Sequence, residues 1–452
     1  MTTDQHSPDE LSRFAELMRN EEEFPGIADR IDPAVRRRRR RRALIITIVV
    51  IALILCAVGG YTGWALSAPV AAPAAVSAAP HVAAPAAATV SLPSSGASAI
   101  SVSGADAYLG PTASGIWATS GSNDPRPIAS ISKLITALVI LDAHPLADAS
   151  DPGPTITFDK ADHDLYDKYY VMGATIAAMP TGSTMSLHDA LATMLIPSAS
   201  NYAEAVSTWA FGSQGAFLGA ARAWLAANGL SGTTIVEPTG ISSRNTSTPT
   251  DLIALGKLAL AHPAIAQIVA TPSLTLPGPG AMHNTNGLLG TDGITGLKTG
   301  NLGENSYNLL YSASLEVGAG EPLTVVGVVL GGATRETVNA DVVRTLDSVR
   351  SGFHEVPVVA QGLEVGSYST PWGSTARIVV AEDASIFTWS DTPITVAIQT
   401  TTPKLYEDGE QVGTLTWTAG PQTATARLEI DGDISPPTEW WRLTHPSELG
   451  AG

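Results

Sequence analysis

A long apolar segment that follows a run of arginines is the feature that most constrains this chain. Residues Ala43 to Leu66 carry no charged side chain over 24 positions, and Arg36 to Arg42 precede them without interruption. About 20 apolar residues in a helix are enough to cross a hydrocarbon core of about 30 Å. Because the arginines flank only the N-terminal side, the positive-inside rule keeps residues 1–42 in the cytoplasm. We therefore predict a single-pass protein of the cell membrane, with a transmembrane helix over 43–66 and an extracytoplasmic domain after it.

A cleaved signal peptide is the alternative interpretation of this segment, because small residues end it at Ala65-Leu66-Ser67-Ala68. The apolar core of a signal peptide usually has about 7–15 residues. The run in this chain is longer and a long polar segment precedes it, so we expect the helix to be retained as an anchor. Residues 67–95 consist mainly of Ala, Pro, Val and Ser. That composition favours an extended tether rather than a core.

Composition and charge exclude several kinds of function. The 452 residues leave room for two or three domains. A net charge of −17 argues against nucleic acid as a partner of the folded part. The one cysteine, Cys56, lies inside the apolar run, so neither an intrachain disulfide nor a cysteine-based metal site is possible. The nine histidines have no metal-ligand spacing.

Apolar patterning after the tether predicts a mixed α/β domain over residues 96–352. Strand-like segments stand at both ends of this domain and helices lie between them, which indicates one antiparallel sheet, covered by helices, whose first and last strands pair. Short alternating segments over 355–432 predict a small all-β C-terminal domain, and a tail over 433–452 follows it. The predicted strands of the larger domain are Ala97–Ser103, Gly115–Thr119, Ile294–Thr299, Ser306–Ser314 and Leu323–Leu330, and its predicted helices are Ile131–Leu141, Leu187–Leu195, Tyr202–Ala210, Gln214–Asn228, Asp251–Ala261 and Glu336–Val349.

A serine and a lysine three residues apart stand at the start of the first predicted helix. Ser130 and Lys133 occur in the sequence Ser-Ile-Ser-Lys, and residues at this spacing lie on the same face of a helix. A serine hydroxyl needs a base to become a nucleophile, and a neutral lysine amine can supply one. Burial and a second cation nearby would both lower the pKa of that lysine.

Two further segments could complete such a site. The hydroxyls of Ser198 and Ser200 and the amide of Asn201 lie in a loop between predicted helices, although Asn201 with Glu204 also fits a capping box for the second helix. Lys298-Thr299-Gly300 stands at the end of a predicted edge strand. There the lysine and threonine could bind a carboxylate, and the glycine would let a substrate backbone approach closely.

The order of these three motifs is more specific than any one of them. Ser-x-x-K, a serine loop 68 residues later and Lys-Thr-Gly another 100 residues on form the set found in penicillin-binding proteins and serine β-lactamases. On these residues the chain resembles the low-molecular-mass penicillin-binding proteins that act as D-alanyl-D-alanine carboxypeptidases, over about residues 96–350. Further segments that carry the resemblance are Ala129–Leu134, Leu191–Ala203, Glu237–Ile241, Thr248–Leu252 and His283–Leu289.

The resemblance implies a mechanism. Ser130 would attack the carbonyl of the penultimate D-alanine, with Lys133 as base, and water would later resolve the acyl-enzyme. Ser198 and Lys298 would form a proton relay, and Lys298 with Thr299 would hold the terminal carboxylate of the substrate.

The same resemblance implies the ligands. The substrate would be a peptidoglycan stem peptide that ends in D-Ala-D-Ala, and β-lactams would acylate Ser130 as mimics of it. The backbone N–H groups of Ser130 and Asn301 would form the oxyanion hole. No metal and no organic cofactor would be required.

One position departs from the family pattern of Ser-x-Asn. The residue two after Ser198 is Ser200, and Asn201 comes one position late. Either the loop is rearranged so that Asn201 serves, or a serine replaces the amide that contacts the substrate. A missing hydrogen bond at a buried site costs about 1–3 kcal/mol, so the reaction would be slower.

Three alternatives remain open at this point. A β-lactamase would need a carboxylate to activate the deacylating water, and no Glu-x-x-Leu-Asn string occurs between Asn201 and Lys298. A transpeptidase would differ only in the nucleophile that takes the acyl group. A catalytically weak or inactive peptidoglycan-binding protein draws its support from Ser200 alone.

Overall fold

The computed structural model of the chain describes residues 32–318 and 320–450. Most of the predicted cytoplasmic segment, residues 1–31, lies outside the described residues. The described chain forms two compact units. The smaller comprises residues 32–76, 367–376 and 432–450, and the larger comprises residues 77–366 and 377–431.

An N-terminal helix, α1 (Pro33–Ser67), contains the whole predicted transmembrane segment and the arginine run before it. It begins where the side chain of Asp32 accepts a hydrogen bond from the backbone N–H of Ala34 at 2.9 Å. Its apolar side chains are exposed, and it is long and apolar enough to cross a membrane. A short strand, β1 (Ala74–Ser77), follows it.

The second half of the predicted tether is bound to the larger unit rather than free. The N–H of Ala88 donates to Ser390 Oγ at 2.8 Å, and the N–H of Ser91 donates to Ser348 Oγ at 2.9 Å. Val90 and Leu92 pack against a buried cluster of that unit. Although Ala and Pro dominate this segment, these two apolar side chains allow it to pack against the unit. The composition alone did not predict this packing.

The larger unit is built around a five-stranded antiparallel sheet with the strand order β10-β11-β12-β2-β3. The first strand pairs with the last, since Ala97 lies opposite Leu330, so the predicted arrangement is confirmed. β2 is buried along most of its length, as expected of a strand with helices near both faces. The strands are β2 (Ala97–Ser103), β3 (Ala118–Ser120), β10 (Ile294–Gly300), β11 (Tyr307–Leu315) and β12 (Leu323–Gly332).

Helices fill the long stretch between β3 and β10. The central one, α3, is buried at every position from Ser132 to Leu141, because its sequence is apolar on all sides. The helices of this unit that precede β10 are α2 (Asp106–Leu109), α3 (Ser132–Ala143), α4 (Lys160–Val171), α5 (Leu187–Leu195), α6 (Ser200–Phe211), α7 (Gln214–Ala227), α8 (Pro249–Ala261) and α9 (Pro263–Val269). Short strand pairs stand among them: β4 (Arg126–Pro127) with β7 (Thr246–Ser247), β5 (Thr155–Thr157) with β6 (Thr184–Ser186), and β8 (Ser273–Leu276) with β9 (Gly280–His283).

Helix α4 was not predicted, because most of its surface is polar and its apolar stripe is narrow. A capping box starts it, in which the side chains of Asp159 and Asp162 each accept from the backbone N–H of the other. Helix α10 (Arg335–Ser351) closes the sheet, and its buried side chains, Val342 and Leu346 among them, cover the face opposite α3.

The remainder of the larger unit is all β, as predicted. Strands β15, β19, β18 and β17 form an antiparallel sheet in that order, and β13 pairs with β16. Aromatic rings join these strands: Trp389 of β16 lies 4.7 Å from Phe353 of β13 between ring centroids, and it lies 5.5 Å from Trp117, the residue before β3. The strands are β13 (Phe353–Val359), β14 (Glu364–Ser369), β15 (Thr375–Val380), β16 (Ala384–Trp389), β17 (Thr395–Thr400), β18 (Gln411–Ala419) and β19 (Gln422–Asp431).

The tail contains a short helix, α11 (Glu439–Thr444), that the sequence did not predict. It contacts the C-terminal end of α1 within the smaller unit. Tyr61 Oη donates to the carbonyl of Leu443 at 2.7 Å, and Arg442 Nη1 donates to the carbonyl of Ala68 at 2.8 Å. The guanidinium thus satisfies carbonyl groups that the end of a helix leaves without intrahelical partners.

We expect opposite effects from the same substitution at two glycines of the larger unit. At Gly327 in β12 an added Cβ would stand 2.1 Å from the ring of the buried Tyr311. Gly327→Ala should therefore lower the free energy of unfolding by about 1–3 kcal/mol. Gly219 in α7 has open space around it, and Gly219→Ala should be neutral or stabilise by up to about 1 kcal/mol. Denaturant unfolding of both variants tests this pair, and equal effects would contradict it.

Candidate active site

The predicted nucleophile lies in a tight turn directly before the buried helix α3. Ser130 is the middle residue of a 3-10 turn at Ala129–Ile131. Ala129 has a φ of 50°, in the left-handed region that non-glycine residues seldom adopt. Such a conformation costs about 1–3 kcal/mol and persists only when surrounding contacts impose it. The turn places Ser130 at the wall of a cavity.

Lys133 lies one helical turn further and points back to that serine. Its Nζ donates to Ser130 Oγ at 2.9 Å and to the carbonyl of Thr239 at 2.8 Å. The side chain is fully buried, and this desolvation lowers the pKa of Lys133 to about 7, although the charge of Glu237 acts in the opposite direction. A large part of the amine is therefore neutral near pH 7 and can accept a proton.

A loop that sequence reasoning did not assign to the site holds the lysine in place. The carboxylate of Glu237 accepts from the N–H groups of Thr239 and Gly240, each at 2.7 Å, and from Thr239 Oγ1 at 2.6 Å. These bonds fold the loop so that the Thr239 carbonyl faces Lys133. In the sequence this loop is the segment Glu-Pro-Thr-Gly, to which we had assigned no role in the site.

Gly240 is required where this loop meets the nucleophile turn. It has a φ of +83°, and a Cβ at this position would lie 1.9 Å from the carbonyl oxygen of Ala129. Any side chain would force the loop and the turn apart. The position of Ser130 therefore depends on a backbone contact that only glycine permits.

The Lys-Thr-Gly segment ends the edge strand β10, as predicted. Lys298 is 1 % exposed, and its Nζ donates to the carbonyl of Thr299 at 3.3 Å and to Thr285 Oγ1 at 3.4 Å. Burial lowers the pKa of Lys298 well below its usual range, and the charges of Lys133 and Arg335 act in the same direction. The hydroxyls of Thr299 and Thr285 share a hydrogen bond of 2.6 Å.

Gly300 has a structural role that we did not predict, in addition to the predicted role toward the substrate, which stays a prediction. A Cβ at this position would lie 2.5 Å from the carbonyl oxygen of Ile128 and 3.3 Å from the backbone nitrogen of Ser130. The backbone that approaches this glycine is thus that of the nucleophile turn itself. The residue lets β10 pack against the turn, and it also lines the cavity.

The loop before α6 brings two serines to the cavity and turns the asparagine away. Ser198 and Ser200 both line the cavity. Ser198 has a φ of 70°, and its buried Oγ has no hydrogen-bond partner in the described part of the chain. Asn201 instead uses its amide on Ala177, accepting from its N–H at 3.1 Å and donating to its carbonyl at 2.8 Å.

The predicted capping box of Asn201 and Glu204 was wrong. Helix α6 begins at Ser200, and its N-cap residue Ala199 has no side-chain bond. Glu204 accepts instead from the hydroxyl of Tyr169 and from the ammonium of Lys168. Partners from elsewhere in the fold outcompete the local capping bonds, because they satisfy side chains that are mostly buried.

The cavity in front of Ser130 has a volume of about 240 Å³. The predicted residue Asn301 lines it, and its Oδ1 accepts from the N–H of Gly303 at 2.8 Å. Arg335, at the first position of α10, also lines it and donates to the carbonyl of Thr285 at 3.0 Å. Sequence reasoning missed Arg335, since no motif marks it and it is brought in by the closing helix.

The arrangement combines an activated hydroxyl with an electropositive wall. Ser130 faces the same cavity as Thr299 and Arg335, which can bind an anionic group. No Asp or Glu lines this cavity in the parts of the chain that the structure describes. Within residues 32–318 and 320–450 no cluster of His, Cys, Asp or Glu could hold a metal ion. This geometry suits acyl transfer to a serine from a substrate with a carboxylate near the reacting carbonyl.

Comparison with known proteins agrees with the geometry. Residues 102–334, just over half of the chain, match the peptidase S11 family, D-alanyl-D-alanine carboxypeptidase. A D-alanyl-D-alanine endopeptidase of Escherichia coli (strain K12) is 33 % identical over 183 residues, which are 38 % of this chain and 54 % of that protein. The chain thus spans about half the length of this relative.

Two more relatives extend the comparison. The D-alanyl-D-alanine carboxypeptidase DacF of Bacillus subtilis (strain 168) is 24 % identical over 307 residues, 65 % of this chain and 76 % of that protein. The crystal structure of penicillin binding protein 6B from Escherichia coli shares the fold, with a TM-score of 0.51 and 18 % identity over 77 % of this chain and 95 % of that one. The chain belongs to the D-alanyl-D-alanine carboxypeptidase family, peptidase S11.

Proposed function

We propose that the protein is a serine-type carboxypeptidase that removes the terminal D-alanine from peptidoglycan stem peptides ending in D-Ala-D-Ala. The observation that carries this proposal is the bond of 2.9 Å from the buried Lys133 amine to Ser130 Oγ. A lysine whose pKa is lowered to about 7 can take the serine proton at neutral pH. The serine then faces a cavity with an anion-binding wall.

Acylation uses Ser130 and Lys133 in sequence. Lys133 takes the proton of Ser130 while Oγ attacks the carbonyl carbon of the penultimate D-alanine. The N–H groups of Ser130 and Asn301 stabilise the oxyanion that forms. The terminal D-alanine leaves as its amine gains a proton, and an ester on Ser130 remains.

Ser198 and Lys298 deliver that proton. Ser198 Oγ is buried and has no hydrogen-bond partner among the residues that the structure describes, so it can contact the leaving amine. The lowered pKa of Lys298 lets it exchange a proton with Ser198 rather than hold a permanent charge. In this role Ser198 links Lys298 to the leaving amine. The amine is bonded to the carbonyl that Ser130 attacks, and Lys133 is the base for Ser130.

The leaving D-alanine carries a carboxylate, and the far wall of the cavity receives it. Thr299 and Arg335 supply donors, and Lys298 lies directly behind Thr299. A guanidinium binds a carboxylate more strongly than a neutral donor does, because the hydrogen bonds are charge-assisted. This wall favours substrates that end at the residue to be removed.

β-Lactams acylate the same serine and are released slowly. The carboxylate of Glu237, in the loop that contacts Lys133, is bound to Thr239, Gly240 and Asn245 and does not line the cavity. It therefore cannot activate a water on the acyl-enzyme, which a β-lactamase requires. A peptidase or transpeptidase fits this site better than a β-lactamase.

A binding protein with weak turnover is the second candidate, and one observation favours it. Ser200 lines the cavity where the family has an amide, while the Asn201 amide is occupied by Ala177. A hydroxyl forms fewer hydrogen bonds than an amide. The substrate would then be held less firmly than in relatives that keep Ser-x-Asn.

The site would work outside the cytoplasm. Helix α1 would span the cell membrane once, with Arg36 to Arg42 on the cytoplasmic side and the peptidase domain on the other. The similarity to a D-alanyl-D-alanine endopeptidase and a D-alanyl-D-alanine carboxypeptidase supports a location in the cell envelope, because peptidoglycan stem peptides occur there.

The pH dependence of acylation follows from Lys133. Because the neutral amine is the base, the rate constant for acylation by a β-lactam should rise about tenfold per pH unit below 7 and level off above it. Stopped-flow measurement with a fluorescent penicillin between pH 5.5 and 9 tests this. A flat profile over that range would exclude Lys133 as the base.

Removal of the nucleophile should abolish both activities. Ser130→Ala should give no covalent label with penicillin and no free D-alanine from a pentapeptide ending in D-Ala-D-Ala. Ser122→Ala, at an exposed position, should keep both. Persistent labelling of Ser130→Ala would show another nucleophile, and labelling of the wild type without D-alanine release would favour the binding protein or the transpeptidase.

The departure at Ser200 can be reversed. Ser200→Asn restores an amide at the cavity wall, and we expect kcat/KM for D-alanine release to rise about tenfold, the equivalent of one good hydrogen bond. Asn201→Ala should instead lower thermal stability, since its amide ties α6 to Ala177. No gain in Ser200→Asn would mean that Ser200 does not limit turnover.

A further inference from the structure

Thr285 lies where three parts of the cavity wall meet, and it has no role in the mechanism above. It lines the same cavity as Thr299 and Arg335. Its backbone N–H donates to the carbonyl of Ile196 at 3.2 Å, two residues before Ser198, and its own carbonyl accepts from Arg335 Nη1 at 3.0 Å. The backbone of Thr285 thus joins these parts of the wall, and the role of its hydroxyl is still to be explained.

Two asparagines fix the backbone on either side of Thr285. Asn284 Nδ2 donates to the carbonyl of Thr271 at 3.0 Å. Asn286 is buried, and its Nδ2 donates to the carbonyl of Gly296 at 3.1 Å. Because these bonds do not involve the side chain of Thr285, an exchange of that side chain should leave the segment in place.

The hydroxyl of Thr285 joins a buried amine to the threonine of the Lys-Thr-Gly segment. Lys298 Nζ donates to Thr285 Oγ1 at 3.4 Å, and Thr285 Oγ1 shares a hydrogen bond of 2.6 Å with Thr299 Oγ1. Since Thr285 Oγ1 accepts from the lysine, its own proton is available to Thr299 Oγ1. Thr299 then keeps its own O–H for a ligand in the cavity.

The direction of this chain of hydrogen bonds matters for an anionic ligand. A hydroxyl can present either its hydrogen or a lone pair, because it both donates and accepts. A hydrogen binds a carboxylate, whereas a lone pair repels it. Hydrogen bonds in a chain also polarise one another, which strengthens the last donor.

We propose that Thr285 is a positioning residue that orients the Thr299 hydroxyl as a donor, and that it thereby selects substrates with a carboxylate on the leaving group. The inference rests on the proposed acyl transfer to Ser130. Arg335 supplies positive charge for the same carboxylate, while the Thr285 hydroxyl acts through Thr299. Without that hydroxyl Thr299 can rotate and accept instead of donate, so part of the carboxylate binding is lost.

The test compares two thioester substrates of an N-acyl-D-alanine that differ only in the leaving group, a thioglycolate with a free carboxylate and the methyl ester of that carboxylate. Thioesters acylate serine readily, so thiol release can be measured for both. In the full-length protein, Thr285→Val removes the hydroxyl and keeps the shape. It should lower kcat/KM about tenfold for the carboxylate and less than about twofold for the ester. Thr285→Ser keeps the hydroxyl and should retain the wild-type values.

Thr295→Val is the matched control on β10. The Thr295 hydroxyl shares a bond of 2.8 Å with Ser312 Oγ, and neither residue lines the cavity. This variant should keep the wild-type ratio of the two kcat/KM values. The ratio does not depend on how much of a variant folds, because the same folded fraction acts on both substrates.

The other outcomes separate this inference from the proposed function. Equal losses for the two substrates in Thr285→Val, or no loss, would overturn the role of Thr285 and leave the peptidase standing. A selective loss that Thr285→Ser does not restore, or that Thr295→Val reproduces, would overturn it as well. A wild-type protein that releases neither thiol nor D-alanine would overturn the proposed function, and the inference with it.

Discussion

The site depends on two lysine amines that are buried close to each other. Lys133 and Lys298 have almost no exposed surface, and the charge of Lys133 is one of the causes that lower the pKa of Lys298. Each can lose its proton because burial penalises the charged form. This has a cost for folding: the unfolded chain keeps the proton on Lys133 up to about pH 10.5, whereas the folded chain releases it near pH 7. The contribution of Lys133 to stability therefore increases with pH between these two values.

Close backbone contacts, rather than side chains, place the nucleophile against these amines. Gly240 and Gly300 approach the turn at Ala129 and Ser130 from two sides, and a Cβ on either glycine would collide with it. The left-handed conformation of Ala129 is maintained by these contacts. Glu237 in turn fixes the loop that carries Gly240. The glycine of Lys-Thr-Gly is thus part of the support for Ser130 as well as part of the cavity wall.

The sequence predicted the elements of the fold better than the partners of its polar side chains. The bounds of Ala97–Ser103 and Leu187–Leu195 agree with the structure, since apolar residues recur along both segments. The pairing of Lys133 with Ser130 followed from helical spacing. Arg335 and the role of the Glu237 loop could not be predicted, because Arg335 contacts Thr285 50 positions away and the loop contacts Lys133 106 positions away through the Thr239 carbonyl. Local pattern carries no information about such contacts.

In the loop at Ser198, a shift of one position along the chain determines which side chain lines the cavity. Ser200 and Asn201 are the first two residues of α6, and successive residues of a helix point about 100° apart. The two side chains therefore point in different directions. Ser200 lines the cavity, and Asn201 is directed to Ala177, where its amide satisfies both backbone groups of that buried residue. Moving Asn201 toward the substrate would leave these groups without partners, at a cost of about 1–3 kcal/mol each. The bonds to Ala177 therefore oppose a rearrangement of the loop that would bring the Asn201 amide to the cavity.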